Sequence, residues 1–335
     1  MHTDFAFTGG ISYYSGRKGF VCNNAINFEL VTGTGAILNV NQNTFPDLLV
    51  ALRGGSNNFG IVTKIDMITF KQGNFWGGQV VNPISVMDQT FAAFISFLTN
   101  PDYDPYSALI NSFAWSAATG WIISNDIKYT ADSPPNTSPA VFQNFTSFPC
   151  LYDTLRVSNL SGFTTELDSE SPYGPRQTFI TSTYSASETM LSSLFDIANQ
   201  TVATIADVEG LGFSISFQPL STTLLAHAGD NGGNSLGINV STGNIFNTLL
   251  TARWINAADD LRVEAASHEM FAQAEAIAKK LGVFQPFLYL NYADKTQDPI
   301  SSYGLASVSK LKAASKKYDP LQIFQNQVPG GFKLP

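Results

Sequence analysis

Long strands alternate with long helices through the middle of this 335-residue chain, and that alternation restricts its fold more than any other feature. Leu211–Gln218 and Ile245–Trp254 alternate apolar and polar residues, as strands with one buried face do. Ile84–Leu98, Ser187–Ala206 and Ala257–Leu281 carry apolar residues at helical spacing. We therefore predict a large α+β domain in which helices cover an antiparallel sheet.

Shorter elements precede this region. Ile26–Thr32 and Ala36–Val40 are rich in strand-forming residues, and Gly33-Thr34-Gly35 between them predicts a hairpin. Phe45–Leu52 is an apolar segment that we expect to form a short helix. The glycine-rich loop that follows leads into a strand predicted over Ile61–Phe70.

The C-terminal segment changes character again. We predict a strand over Phe287–Tyr292 and a helix over Tyr303–Tyr318, which Asp319-Pro320 ends. The predicted organisation is a small α+β part over residues 1–74, a larger α+β domain over 75–284, and a segment over 285–335 that returns to the first part.

Composition excludes several classes of function. A formal charge of -8 without clustered Lys and Arg argues against a nucleic-acid partner. No apolar run approaches the roughly 20 residues that span a bilayer, so we expect no membrane partner. The N-terminus shows no signal peptide, and the localisation stays open. Three His and two Cys, none at ligand spacing, predict no metal site and leave little for a Ser-His-Asp hydrolase.

Three glycine-containing loops are the first candidates for binding, because a backbone without Cβ atoms can approach a flat ligand closely. They are Gly9–Ser12, Gly19–Asn24 and Gly54–Gly60. The third lacks the Gly-Lys-Ser/Thr ending of a P-loop. No Gly-x-Gly-x-x-Gly lies between a strand and a helix, so a Rossmann fold is not indicated either.

The order and spacing of five motifs carry a more specific signal. They are Gly9–Tyr14, Asn27–Val31, Ala51–Thr63, Tyr289–Tyr292 and Tyr318–Phe332. Together they resemble the berberine-bridge-enzyme-like family of FAD-linked oxidases, from about Gly9 to the end of the chain. The resemblance implies the second half of a PCMH-type FAD-binding domain, an antiparallel-sheet substrate domain with helices, and a C-terminal segment that returns to the FAD domain.

The resemblance also implies roles for individual positions. The cofactor-binding positions of the family fall at Gly9, Gly10, Ser12, Gly19, Asn24, Gly60, Ile61, Val62 and Asn291. In the family, Gly9–Ser12 and Gly19–Asn24 lie against the flavin and its diphosphate, and the strand start at Gly60 binds the adenine. If Phe287–Tyr292 is a strand, Tyr289 and Asn291 face one side and Leu290 and Tyr292 the other.

The implied reaction removes a hydroxyl proton from an alcohol-type secondary metabolite or sugar-like substrate while a hydride leaves its carbon for flavin N5. Tyr292 is the predicted proton acceptor, and Asn247, where the family often has Glu, is a helper that cannot itself be the base. We expect Phe217, Gln218 and Tyr289 to contact this small-molecule substrate. Molecular oxygen and another electron acceptor both stay open.

One part of the family pattern is missing from the sequence. Family members also bind FAD through an earlier Arg-Ser/Gly-Gly-His motif, whose His is often bonded to the flavin. We expect that this N-terminal half of the FAD domain is not in the chain, because His2 lacks the neighbouring glycines. Two functions follow: an FAD-linked oxidoreductase, or a flavin-free, inactive remnant or partner module on the same scaffold.

Overall fold

The computed structural model describes residues 5–135, 137–169 and 173–335, so His2 lies outside the described residues. The chain forms two compact units, and both are discontinuous in sequence. The first unit comprises Met1–Lys71, Thr222–Gly243 and Pro286–Pro335, and the second comprises Gln72–Ser221 and Asn244–Gln285. The sequence assigned residues 222–243 to the middle domain, whereas in the structure they pack within the first unit.

Strands and helices alternate along the whole chain. The strands are β1 Ala25–Val31, β2 Ile37–Asn41, β3 Ile61–Met67, β4 Phe75–Pro83, β5 Ser107–Ser116, β6 Gly120–Tyr129, β7 Tyr152–Asp153, β8 Arg156–Ser158, β9 Arg176–Ser185, β10 Gly212–Leu220, β11 Ile245–Trp254 and β12 Phe284–Gln285. The α-helices are α1 Phe5–Thr8, α2 Ser15–Lys18, α3 Pro46–Leu52, α4 Met87–Thr99, α5 Gln143–Thr146, α6 Leu160–Ser169, α7 Glu188–Ile205, α8 Thr222–Leu225, α9 Asp260–Leu281, α10 Leu305–Tyr318 and α11 Ile323–Asn326.

The first unit is built on a three-stranded antiparallel sheet in the order β2-β1-β3. The predicted hairpin joins β1 to β2, and Phe28, Leu30 and Val40 bury one face of the sheet. The C-terminal helix α10 packs against α3, where Tyr318 Oη donates to Asp47 Oδ1 over 2.8 Å. The predicted return of the C-terminal segment is therefore confirmed.

Two polar side chains hold residues 222–243 within the first unit. Arg53 is fully buried, and its Nη1 donates to the carbonyl oxygens of Asn231 (2.8 Å) and Gly233 (2.9 Å). Asn23 is also fully buried, and its Nδ2 donates to His227 O over 3.0 Å. Side chains of the segment bond back to the same two residues, since Asn234 Nδ2 donates to Asn23 Oδ1 (2.8 Å) and Ser235 Oγ to Arg53 O (3.0 Å).

The second unit is a nine-stranded antiparallel sheet in the order β12-β9-β11-β10-β5-β6-β4-β7, with β8 also paired to β4. Helices α4, α7 and α9 pack beside one another, and their apolar residues join those of the strands in one hydrophobic core. Residues of one strand alternate between this helix-covered face and the opposite face of the sheet. The predicted α+β class with an antiparallel sheet is confirmed.

The boundaries of the predicted helices follow their capping chemistry. Ser187 caps α7 by accepting from Met190 N over 3.2 Å. Helix α9 ends at Gly282, which has the left-handed φ of 72°. The prediction of a strand over Phe287–Tyr292 is wrong, because Leu290–Tyr292 is a 3-10 turn and residues 286–289 belong to no strand.

Candidate functional site

The loop Gly9–Ser12 of the first unit has a backbone that favours glycine. Gly9 and Gly10 have φ values of 106° and 84°, which side chains other than glycine rarely adopt. Their carbonyls accept hydrogen bonds of 2.8 Å from the N–H groups of Cys22 and Val21. Two backbone hydrogen bonds therefore hold the loop against the 3-10 turn Val21–Asn24 and restrain its conformation.

Tyr289 supports the same loop from the C-terminal segment. Its side chain is buried, and its hydroxyl accepts a 2.8 Å hydrogen bond from Ile11 N. Burial, together with the neighbouring Tyr292, raises the pKa of Tyr289 far above that of an exposed phenol. Two residues further on, the side-chain oxygen of Asn291 accepts a hydrogen bond from the Thr8 hydroxyl. Tyr289 and Asn291 therefore fix the loop as neutral hydrogen-bonding groups.

The 3-10 turn changes which side chains of Tyr289–Tyr292 lie together. Residues three apart lie on one side of a 3-10 turn, whereas a strand would have separated them. The rings of Tyr289 and Tyr292 are accordingly in edge-to-face contact, with centroids 4.9 Å apart. Tyr292 is half-buried, while Tyr289 is enclosed. Of the two phenols, Tyr292 is the one with partial access to its surroundings.

Three of the predicted cofactor residues have partners within the protein. A Cβ at Gly19 would lie 2.5 Å from His227 Cβ, so packing alone requires glycine there. Asn24 Nδ2 donates to Lys18 O (2.8 Å) and Phe20 O (3.1 Å). Ser12 Oγ accepts from Tyr14 N over 3.2 Å. The turn Gly19–Asn24 is therefore held by contacts within the protein, and its predicted contact with a ligand stays a prediction.

Gly60, Ile61 and Val62 lie at the start of β3, which is an edge strand of its sheet. A Cβ at Gly60 would lie 2.6 Å from Leu30 Cδ1, so this glycine too has a packing role. Ile61 is 61% exposed and Ile37 67% exposed, and both pair with Val31 in the sheet. Ile37, Val31 and Ile61 thus form an apolar row across the end of this sheet. Beside it, the outer backbone groups of β3 pair with no strand among the described residues.

These features of the first unit fit an FAD molecule in two respects. An apolar row next to unpaired edge-strand backbone suits a flat adenine, which has both a ring face and hydrogen-bonding atoms at its edge. The loop Gly9–Ser12 presents backbone without Cβ atoms at two successive positions. The residues of the chain that would hold the cofactor are therefore Gly9, Gly10, Ile61 and Val62.

In the second unit, Asn247 and Gln218 are direct partners across β11 and β10. Both are buried, and both lie on the sheet face opposite the helices, since their neighbours in sequence belong to the core. Phe217 is one of those neighbours, and its ring contacts Phe94 and Phe246. The prediction that Phe217 lines a pocket with Gln218 and Asn247 is wrong, because adjacent strand residues face opposite sides.

Two threonines lie on the same face of the sheet as Asn247, and no motif in the sequence indicates that they belong to a site. Thr183 of β9 is the direct partner of Asn247, and Thr181 Oγ1 donates to Asn247 Oδ1 over 2.8 Å. Both threonines are fully buried. The alternation of Thr and Ser with Ile and Tyr over residues 180–185 is the sequence signal that could have predicted β9.

Several known proteins similar to this chain are named FAD-dependent monooxygenases. The chain is 37% identical over 339 residues to the FAD-dependent monooxygenase CTB5 of Cercospora beticola, covering 97% of this chain and 63% of that protein. It is 37% identical over 340 residues to the FAD-dependent monooxygenase elcE of Phaeosphaeria nodorum, covering 97% of both. No protein-family model matches the chain.

Solved structures show the same fold. The 6-hydroxy-D-nicotine oxidase of Arthrobacter nicotinovorans superposes with a TM-score of 0.78 at 15% identity, covering 99% of this chain and 70% of that one. The BBE-like 1 protein of Physcomitrella patens does so with a TM-score of 0.74 at 16% identity, again covering 99% and 70%. The chain belongs to the family of FAD-dependent monooxygenases that includes CTB5 and elcE, and it has the fold of berberine-bridge-enzyme-like oxidases.

FAD is the cofactor of this family, as the names of CTB5 and elcE state. The chain spans less than two thirds of the length of CTB5. Among the described residues, no three His, Cys, Asp or Glu side chains are grouped to hold a metal ion. Within those residues, no helix has the length and apolar character needed to cross a membrane.

Proposed function

We propose that this protein is an FAD-dependent oxidoreductase that oxidises an alcohol-type secondary metabolite or a sugar-like substrate, with Tyr292 accepting the hydroxyl proton. The observation that carries the proposal is the pair of phenols in the first unit. Tyr289 is buried and bonded to the loop Gly9–Ser12, while its contact partner Tyr292 is half-buried. Tyr292 therefore has the access that a proton acceptor needs.

The names of similar proteins support the FAD dependence and the sugar-like part of the proposed substrate class. CTB5 and elcE are named monooxygenases, and solved structures with this fold include a chitooligosaccharide oxidase and a xylooligosaccharide oxidase in complex with xylobiose. When bound, FAD supplies an acceptor for the hydride that leaves the substrate carbon. In the first unit, the chain itself supplies the proton acceptor at Tyr292 Oη. In the second unit, the amide of Asn247 can bind a substrate oxygen, although it cannot act as the base.

Tyr289 has a different role in this mechanism. Because its hydroxyl accepts from Ile11 N and its pKa is raised by burial, it stays protonated and positions the loop. Its ring contacts Tyr292 edge-on and so restricts the orientation of that phenol. Asn291 and Thr8 bond to each other and fix the other end of the same turn.

An absorbance spectrum of the purified chain, before and after added FAD, tests the cofactor. The visible bands of oxidised flavin, retained through gel filtration, are the expected result. A chain that stays colourless with added FAD would instead be a flavin-free module on this scaffold, and the proposed activity would be rejected.

The role of Tyr292 is tested by anaerobic bleaching of the flavin band with xylobiose and benzyl alcohol as probes. We expect Tyr292→Phe to slow bleaching by about 100-fold or more at unchanged flavin content, because a general base contributes about that factor. The matched control is Tyr173→Phe, since Tyr173 is 94% exposed. Equal rates in Tyr292→Phe and the wild type would remove Tyr292 from the mechanism.

A further inference from the structure

On the sheet face opposite helices α4, α7 and α9, two polar atoms of directly paired residues have no hydrogen-bond partner among the described residues. They are Asn247 Nδ2 and Thr183 Oγ1, and both residues are fully buried. Leaving a buried donor or hydroxyl without a partner is costly, and native proteins do so mainly where a ligand or an ordered water completes the bonding. Two such atoms on directly paired residues are therefore candidates for one binding site.

The two side chains are close enough to bind the same ligand atom. Asn247 and Thr183 are register partners on β11 and β9, and the Cβ atoms of such pairs lie about 5 Å apart on one face of the sheet. A ligand oxygen between them can accept from the amide N–H and exchange a second hydrogen bond with the hydroxyl.

Thr181 sets the direction in which the Asn247 amide points. Its Oγ1 lies 2.8 Å from Asn247 Oδ1 and 2.9 Å from the carbonyl oxygen of Thr248. With the amide oxygen turned toward Thr181, the nitrogen is directed away from it. The hydroxyl of Thr181 is thus placed on the amide oxygen, which leaves the amide nitrogen of Asn247 for another partner.

The partners of this pair in the sheet are neutral. Gln218 pairs with Asn247 on one side, and Gln285 pairs with Thr183 on the other. The row Gln285, Thr183, Asn247, Gln218 therefore crosses four strands without a charged side chain. Such a row provides hydrogen bonds but no counter-charge, which favours a neutral ligand over an ionised one.

We propose that Asn247 and Thr183 together bind a carbonyl or hydroxyl oxygen of a neutral substrate, and that Thr181 is the positioning residue that orients the Asn247 amide. This assignment rests on the proposed function, because the ligand is the substrate that the enzyme oxidises. It adds two threonines to the site and specifies what the substrate must present: an uncharged oxygen that can accept a hydrogen bond.

The stability of two matched variants tests the free hydroxyl without any ligand. Thr181→Val removes the group that bonds to Asn247 and Thr248, so its thermal midpoint is expected to fall by several degrees. Thr183→Val removes a hydroxyl without a partner, so its midpoint is expected to equal or exceed that of the wild type. A clear loss of stability in Thr183→Val would overturn the proposal. It would mean that the Thr183 hydroxyl already has a hydrogen-bond partner, namely an ordered water, and is not left for a ligand.

Binding of a matched probe series tests the ligand class. Tetralin, tetralone and tetralol share one carbon frame, and only the last two carry an oxygen. We expect calorimetric titration of the full chain to show one or both oxygenated probes binding about tenfold more tightly than tetralin, as one good hydrogen bond allows. That preference is expected to disappear in Asn247→Leu and in Thr183→Val. Equal affinities for the three probes, or binding of none, would reject the assignment.

The same titration separates this inference from the proposed function. Neither the midpoints nor the probe affinities require flavin, so both are measured whether or not the chain holds FAD. A colourless protein that still prefers the oxygenated probes would retain the oxygen site and lose the oxidoreductase assignment. A flavin-loaded protein that does not prefer the oxygenated probes would keep the oxidoreductase assignment and reject the oxygen site.

Discussion

Arg53 is fully buried, and the acceptors of its hydrogen bonds are backbone carbonyls rather than a carboxylate. Nε and Nη2 both donate to Ala25 O, and Nη1 donates to the carbonyls of Asn231 and Gly233. Burial lowers the pKa of Arg53, but a guanidinium keeps its proton far above neutral pH. One side chain thus connects β1 to residues 222–243, which are distant in sequence.

We expect Arg53→Lys to destabilise the protein by about 3 kcal/mol, because a lysine cannot reach the same carbonyls with a planar set of donors. Urea unfolding followed by circular dichroism measures the change. The control is Arg262→Lys, since Arg262 pairs with Asp207 at the exposed surface and should tolerate the exchange. Equal unfolding midpoints for the two variants would show that the fork of Arg53 is dispensable.

Cys22 gives a pH dependence with a defined sign. Burial raises the pKa of its thiol to about 12, whereas an unfolded cysteine titrates near 8.5. The neutral thiol therefore contributes stability that is fully present below about pH 8.5 and is lost as the pH rises toward 12. Between pH 9 and 10 the wild type is expected to lose about 1 kcal/mol more than Cys22→Ala. Denaturant midpoints across this range test it, and parallel pH profiles would contradict it.

At the scale of elements, the glycine that follows α9 allows the energetic cost of a positive φ to be measured without a steric clash. Gly282 has a left-handed φ of 72°, and a Cβ added there would meet nothing within 4 Å. Gly282→Ala is therefore expected to cost about 1 kcal/mol through backbone strain alone. Gly73 is equally unobstructed without a positive φ, so Gly73→Ala is the matched control and should not destabilise. Similar losses of stability in both variants would show that the positive φ of Gly282 is not the cause.

Elements that the sequence predicted well share a strong local signal. Strand β11 has the predicted bounds Ile245–Trp254, because its alternation continues over the whole length of the strand. Helix α9 ends at Leu281, directly before the glycine that favours the end of a helix. The segment Tyr289–Tyr292 failed because four residues of mixed polarity fit a strand as well as a 3-10 turn, and only the contacts of Tyr289 with the loop Gly9–Ser12 distinguish them.

The residues of the candidate site also differ in how much of their placement a local sequence pattern can predict. The motif pattern predicts Asn247 and Tyr292 as site residues, and both stay predictions. The expectation that Phe217 contacts the substrate is wrong, because the period of a strand turns Phe217 into the core and Gln218 to the opposite face. Thr183 was missed because its importance depends on its pairing with Asn247 across two strands that are distant in sequence. Register between such strands is set by packing, which no local pattern records.

At the scale of the whole molecule, the two units predict how a fragment will behave. The hydrophobic core of the second unit draws its residues from Trp76 to Phe284 and includes none from residues 222–243. In the whole chain, that segment is held by Asn23 and Arg53, which lie before residue 72. A fragment of residues 72–285 therefore keeps the residues of its own core and lacks the partners that hold 222–243.

We expect this fragment to fold with β10 and β11 protected from amide hydrogen exchange, while residues 222–243 exchange at rates close to those of an unstructured chain. The whole chain, measured beside it, should protect both regions. Mass spectrometry of peptides covering 212–220, 222–243 and 245–254 resolves the three segments. Protection of 222–243 in the fragment would show that its structure does not depend on Asn23 and Arg53. Loss of protection in β10 and β11 would show instead that the nine-stranded sheet needs the first unit in order to fold.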